Sequence, residues 1–199
     1  QSVRKNCVGR EGLLMDGPGS GEYSVHCQIF AVLTDTVNET EGKRMLQLTL
    51  HRPEAAQCSV AMSFYLFRAL QKTGWYEATN QVWETWREMI RRNMTTCVES
   101  ETEPRSDCHA WGAVALYELP AAILGVQPAE PGFHKIAVRP VSGYLDYARG
   151  QVVTPKGMVY VEWEKKEDGN LDVRYKVPQG VEVVSMKKKQ IYNPFLPLN

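Results

Sequence analysis

The sequence has no run approaching the about 20 consecutive apolar residues that a membrane-spanning helix requires, and its start lacks the charged and then apolar segments of a secretory leader. The expectation is a soluble chain with no membrane partner. Because it begins at Gln1 rather than methionine, the compartment of the protein stays open. Excess charge is missing too. Lys plus Arg and Asp plus Glu each number 23, and the basic residues are scattered apart from Lys187–Lys189, so no surface built to hold phosphate is implied and no nucleic-acid partner is expected. The cysteines (Cys7, Cys27, Cys58, Cys97 and Cys108) are odd in number and form no CxxC pair. That argues against a disulfide framework and against a zinc ribbon, and it leaves at least one thiol unpaired within the chain. Neither a metal nor a cofactor is expected.

What is present is ordinary globular material: 199 residues that are 43% hydrophobic and 23% charged, enough for one or two modest cores. From about Tyr23 to Gly125 apolar residues recur at spacings of three and four, which predicts consecutive helices. Ser24 is a candidate N-cap for a helix carrying Cys27, Ile29, Phe30, Val32 and Leu33, and a shorter helix is predicted over Met45–Leu50. A third covers Ser59–Lys72 and stops at Thr73-Gly74, where glycine can take the left-handed end conformation. Another runs from Trp75 to Arg92. The last starts at the Ser106-Asp107 pair and continues to Leu124, with a kink at Pro120.

Beyond the Pro/Gly-rich segment Gln127–Phe133 the period becomes two, predicting strands over Lys135–Arg139, Gly150–Val153, Met158–Glu164, Leu171–Val177 and Val181–Met186. The intervening Thr154-Pro155-Lys156-Gly157, Glu167-Asp168-Gly169-Asn170 and Pro178-Gln179-Gly180 suit tight reversals, so an antiparallel meander is expected. The tail Ile191–Asn199 has no period. The fold class is thus α plus β in separate regions, divided into 1–126 and 127–199. Asn38-Glu39-Thr40 and Asn93-Met94-Thr95 fit the glycosylation pattern, a triplet frequent by chance.

Reactive side chains concentrate at one connection between helices, Thr95–Trp111, which contains Glu99, Glu101, Glu103, Asp107, His109 and Trp111. A carboxylate can move protons, a histidine can bond hydroxyls, and an aromatic face can stack on a pyranose, so the set suits a sugar site. By spacing alone it competes with plainer readings: a solvated acidic loop, a structural His109 and a core Trp111. Phe64, Tyr65, Phe67, Trp83 and Trp86 fit helical spacing and are expected to be mainly packing, while His26 and Gln28 are open to either reading.

The strings TTCVES (Thr95–Ser100), RSDCHAWGA (Arg105–Ala113) and LGVQPAEPGFHKIAVRP (Leu124–Pro140) resemble the end of the α-L-rhamnosidase catalytic domain and its exit into a C-terminal domain. YARGQVVTPKGMVYVEW (Tyr147–Trp163) is similar to the opening strands of that domain, and SVHCQIFAVL (Ser24–Leu33) and SFYLFRAL (Ser63–Leu70) to preceding helices. The resemblance implies a partial (α/α)6 helical barrel followed by a small antiparallel β-sandwich, from an enzyme that removes terminal α-L-rhamnose with inversion. It implies that Glu99 is the general base, that His109 contacts the sugar, and that Trp111 lines the pocket; Val98 departs from the tryptophan many members carry before the base. The general acid is implied to lie on the other half of the barrel, so the chain alone is expected to be inactive and to self-associate through the exposed half-barrel. A rhamnose-containing glycan or glycoside is the implied partner. A non-catalytic carbohydrate-binding or structural module of the same fold, or a glycosidase for another sugar, remains the alternative.

Overall fold

The computed structural model describes residues 2–100 and 106–184. The chain is α plus β and divides into two compact units, Gln1–Val114 and Ala115–Asn199. The N-terminal unit contains α1 (Ser2–Asn6), α2 (Val25–Leu33), α3 (Glu39–Leu50), α4 (Ser63–Lys72), α5 (Thr79–Val82) and α6 (Glu84–Arg91).

Two of the helix starts follow from capping chemistry. The Ser24 hydroxyl accepts from Cys27 N–H at 3.3 Å and donates to Asp16 at 2.6 Å, which anchors the start of α2. The Asn38 side chain accepts from Glu41 N–H at 2.9 Å, so α3 begins well before the Met45 expected from the apolar pattern. Residues 39–44 carry no apolar side chain, which is why periodicity overlooked them. At the end of α4, Gly74 takes φ +65° and the Trp75 N–H reaches Leu70 O at 2.9 Å, the glycine-ended closure anticipated there.

These helices enclose a core in which Val25, Ile29 and Val32 of α2 meet Met45 and Leu46 of α3 and Leu66, Ala69 and Leu70 of α4. Burying each large aliphatic side chain contributes about 1.5–3 kcal/mol. Gln28 is fully buried within this core and satisfied there: its amide donates to Leu14 O (2.8 Å) and Ser24 O (3.0 Å) and accepts from Leu14 N–H (3.0 Å). That bonding makes it a structural brace. A second aromatic core joins α4 to α6, with Phe67 and Trp83 rings 4.7 Å apart and Trp83 and Trp86 rings 5.2 Å apart.

The helix expected over Trp75–Arg92 is segmented into a 3-10 turn (Tyr76–Ala78), α5 and α6. The one expected from Ser106 differs more. Ser106 Oγ accepts from Cys108 N–H at 3.2 Å, a local turn, and helical backbone begins only at Ala110 as a 3-10 segment to Val114. In the C-terminal unit α7 (Ala115–Glu118) then opens into a π turn, Leu119–Ile123, closed by Leu124 N–H to Leu119 O at 2.9 Å. Pro120 supplies no N–H and crowds the carbonyl four residues earlier, so the helix widens at that point.

Two three-stranded sheets follow. One has the order β1 (Val126–Pro128), β2 (Lys135–Val138), β6 (Glu182–Val183); the other is β3 (Tyr147–Thr154), β4 (Gly157–Lys165), β5 (Leu171–Lys176). The meander expectation holds for β3–β4–β5, whose pairings are all antiparallel. It fails at β6, which pairs parallel to β2. After Pro178-Gln179-Gly180 the chain leaves β5, and Glu182 N–H bonds to His134 O at 2.9 Å. β1 falls in the Pro/Gly segment where no strand was expected; Pro128 is tolerated because β1 is an edge strand. The expected strand positions 185 and 186, Lys187–Lys189 and the Ile191–Asn199 tail lie outside the described residues. Trp163 on β4 is buried and donates from Nε1 to Ile123 O at 2.7 Å, tying the sheet to the π turn. Gly125, at φ +73°, turns the chain where a Cβ would lie 2.1 Å from the Arg139 carbonyl carbon.

Candidate functional site

The connection after α6 is drawn together by its own backbone. Thr96 Oγ1 donates to Asp107 O at 2.6 Å, His109 N–H donates to Cys97 O at 2.8 Å, and Glu99 N–H donates to Ser106 O at 3.0 Å. These bonds pair Thr96–Glu99 with Ser106–His109, so Glu99 and His109 belong to two facing segments of one connection. Both side chains are half-buried. Residues 101–105, which include Glu101, Glu103 and Arg105, lie outside the described residues.

Packing from below holds this connection. The Trp86 indole, buried in the aromatic core of α4 and α6, donates to Gly112 O at 2.9 Å. Gly112 presses against the segment leading to Glu99: a Cβ there would come within 2.7 Å of Val98 O and 2.8 Å of Cys97 Cβ. Val98 is itself buried. A continuous line of contact thus runs from Phe67 through Trp86 and Gly112 to the backbone beside Glu99. Trp86 and Gly112 were not singled out as site residues. A buried indole seeking an acceptor and a glycine under close approach both depend on tertiary contacts, and spacing does not show them.

Trp111 lies in the 3-10 segment with 70% of its surface exposed, which removes the core reading for this side chain within the chain. Beside Val98 a depression of about 620 Å³ is lined by Glu84, Glu88, Met89, Arg91 and Arg92 among others. Glu84 is held below the usual carboxylate range, first by its hydrogen bond to Arg91 and then by Arg87. This network is solvent-exposed and contributes little to stability. Among the described residues no group of three or more His, Cys, Asp or Glu side chains could hold a metal ion, and no helix is long and apolar enough to cross a membrane. Chemically, the connection offers a carboxylate, an imidazole and an exposed indole, the set needed for proton transfer and contact with a polyol.

The chain has likenesses among known proteins. Residues 125–186 match the bacterial alpha-L-rhamnosidase C-terminal domain. An alpha-L-rhamnosidase of Alteromonas sp. (strain LOR) is 29% identical over 116 residues, covering 57% of this chain and 12% of that protein. The structure of a GH78 family rhamnosidase of Bacillus sp. GL1 superposes with a TM-score of 0.76 at 28% identity, over 92% of this chain and 21% of that one. The alpha-L-rhamnosidase of Streptomyces avermitilis complexed with L-rhamnose shares the fold (TM-score 0.65, 16% identity, 90% of this chain and 19% of that one). The chain therefore spans about a fifth or less of the length of these relatives.

These likenesses make the chain homologous to part of a glycoside hydrolase. More narrowly, it is similar to part of the α-L-rhamnosidases, and residues 125–186 match the model of the C-terminal domain of the bacterial enzymes.

Proposed function

We propose that the chain is the closing part of an inverting α-L-rhamnosidase, with the last helices of an (α/α)6 barrel through residue 126 and a β-sandwich from residue 127. Its substrate is a glycan or glycoside bearing terminal α-L-rhamnose. In this reading Glu99 is the general base that activates water, His109 bonds the sugar hydroxyls, and Trp111 walls the pocket. An inverting hydrolase needs a second carboxyl group about 6.5–9.5 Å from the first to protonate the leaving oxygen. That acid is supplied by the rest of the enzyme, and the 199-residue chain alone is catalytically silent.

The observation that carries the proposal is the closed connection. Three hydrogen bonds of 2.6–3.0 Å hold the Glu99 and His109 segments against each other, which supports a shared role for the two side chains. The test uses the longer enzyme. Glu99→Gln keeps the shape of the side chain and one acceptor oxygen but removes the base, so turnover is expected to fall by about 10²–10⁴ with sugar binding largely kept. Turnover near normal would remove Glu99 from the mechanism.

A further inference from the structure

The two edge strands of the β3–β4–β5 sheet differ in how they are guarded. β5 carries Asp172, Arg174 and Lys176 at alternate positions, a charged pattern that keeps an edge from pairing with another chain. β3 carries one charge, Arg149, and no proline, and its outward side chains Tyr147 and Val153 are 73% and 79% exposed. One step beyond the Tyr147 to Glu164 pair, Lys165 N–H donates to Asp146 O at 2.7 Å, so the even-numbered residues of this strand are those that bond across to β4. Tyr147, Arg149, Gln151 and Val153 therefore direct their N–H and C=O groups to the open side. No backbone bond from outside the sheet engages them there among the described residues.

An open edge bearing exposed apolar side chains is a template for another strand. The sequence of β3 matches its own copy. In an antiparallel pair with a twofold axis at Gly150, Tyr147 faces Val153 of the second copy, Arg149 faces Gln151, and every residue that bonds outward finds a partner. Ala148 then faces Val152 on the other side of the sheet, and Gly150 meets its copy on the axis, where there is no side chain to crowd. An axis at Arg149 would set that cation against itself, and an axis at Gln151 would leave Tyr147 without a partner. The outward face is also balanced in charge, with Arg149, Arg174 and Lys176 against Glu162, Glu164 and Asp172, so no net charge opposes the approach of a second copy. An unrelated strand could use the same backbone groups, but it would not bring this match of side chains. We infer that β3 pairs antiparallel with β3 of a second copy about Gly150, joining the two sheets into one.

This pairing does not depend on the role proposed for Glu99. Sedimentation velocity of the 199-residue chain over a concentration series, combined with amide hydrogen exchange, tests it. The peptide covering β3 is expected to exchange more slowly as concentration rises. Gln151→Pro removes an N–H that bonds only across the open edge, so association should weaken about tenfold, with one bond lost from each copy. Gln151→Arg should weaken it about threefold by opposing Arg149, and Gln151→Glu should tighten it by a similar factor. The Gln151 side chain is exposed, so circular dichroism of each variant should match the parent. Exchange of β3 indifferent to concentration, association indifferent to Gln151→Pro, or Gln151→Arg and Gln151→Glu acting alike would each overturn the inference. The second of these outcomes would move self-association to another apolar surface, such as that around Ile90.

Discussion

Gly112 shows how a single atom can position a reactive group it does not touch. A methyl group there would meet Val98 O at 2.7 Å and Cys97 Cβ at 2.8 Å, so the segment leading to Glu99 would have to move. Gly112→Ala is expected to cost about 1–3 kcal/mol, the range for an added methyl in a packed site. A denaturant midpoint equal to that of the parent would show that the contact is slack. The thiols offer a second test at this scale. Burial pushes Cys58 up to about 12 from an ordinary 9.0, whereas Cys108 is exposed. The thiolate is the nucleophile, so at pH 8 only roughly 10⁻⁴ of Cys58 is reactive. Alkylation mapped by mass spectrometry should therefore modify Cys108 first and Cys58 last. The sign for stability follows from the same shift. Between about pH 9 and 12 the unfolded chain has released this proton and the folded chain has not, so stability falls as pH rises through that window.

At the scale of elements, α3 shows what capping adds to apolar pattern. Asn38 belongs to a triplet that fits the glycosylation signal, yet its side chain accepts from Glu41 N–H and starts the helix. Asn38→Ala should cost about 1 kcal/mol, and Asn38→Asp should restore most of it because aspartate caps as well. Equal midpoints for Ala and Asp in urea titration would show that the bond contributes nothing. The strands were more legible than the helices. The strands expected over Lys135–Arg139, Met158–Glu164 and Leu171–Val177 match β2, β4 and β5 to within a residue at each end, and Gly150–Val153 is the inner part of a β3 twice as long, because an exposed face against a buried one imposes a period of two on the sequence. The Thr154–Gly157 turn shows its chemistry directly: Thr154 Oγ1 donates to Gly157 O at 2.8 Å, and Gly157 has φ +119°. The stretch after Ser106 was less legible, since 3-10, α and π turns share one apolar rhythm and differ only in which carbonyl each N–H reaches.

For the whole molecule the governing fact is that the chain covers about a fifth of the solved rhamnosidases it matches. Large apolar side chains stand exposed in both units, including Ile90 and Trp111 in the first and Leu116, Tyr147 and Val153 in the second. Exposed apolar surface drives association in water. The isolated chain is therefore expected to self-associate, with a sedimentation coefficient that rises with concentration and with binding of an apolar dye. A concentration-independent monomer that binds no dye would refute this.

The sequence by itself determined the α-then-β order, the turns of the β3–β4–β5 meander, the Ser24 cap and the likeness to the end of an α-L-rhamnosidase. Each depends on neighbours a few residues apart or on motifs kept in order. Tertiary structure alone decided that β6 pairs parallel with β2, that Gln28 is a buried brace, and that Trp86 and Gly112 support the Glu99 connection. Those outcomes depend on which distant N–H finds which carbonyl once water is excluded. A buried polar group must be satisfied by whatever the fold brings beside it, and linear spacing carries no record of that partner.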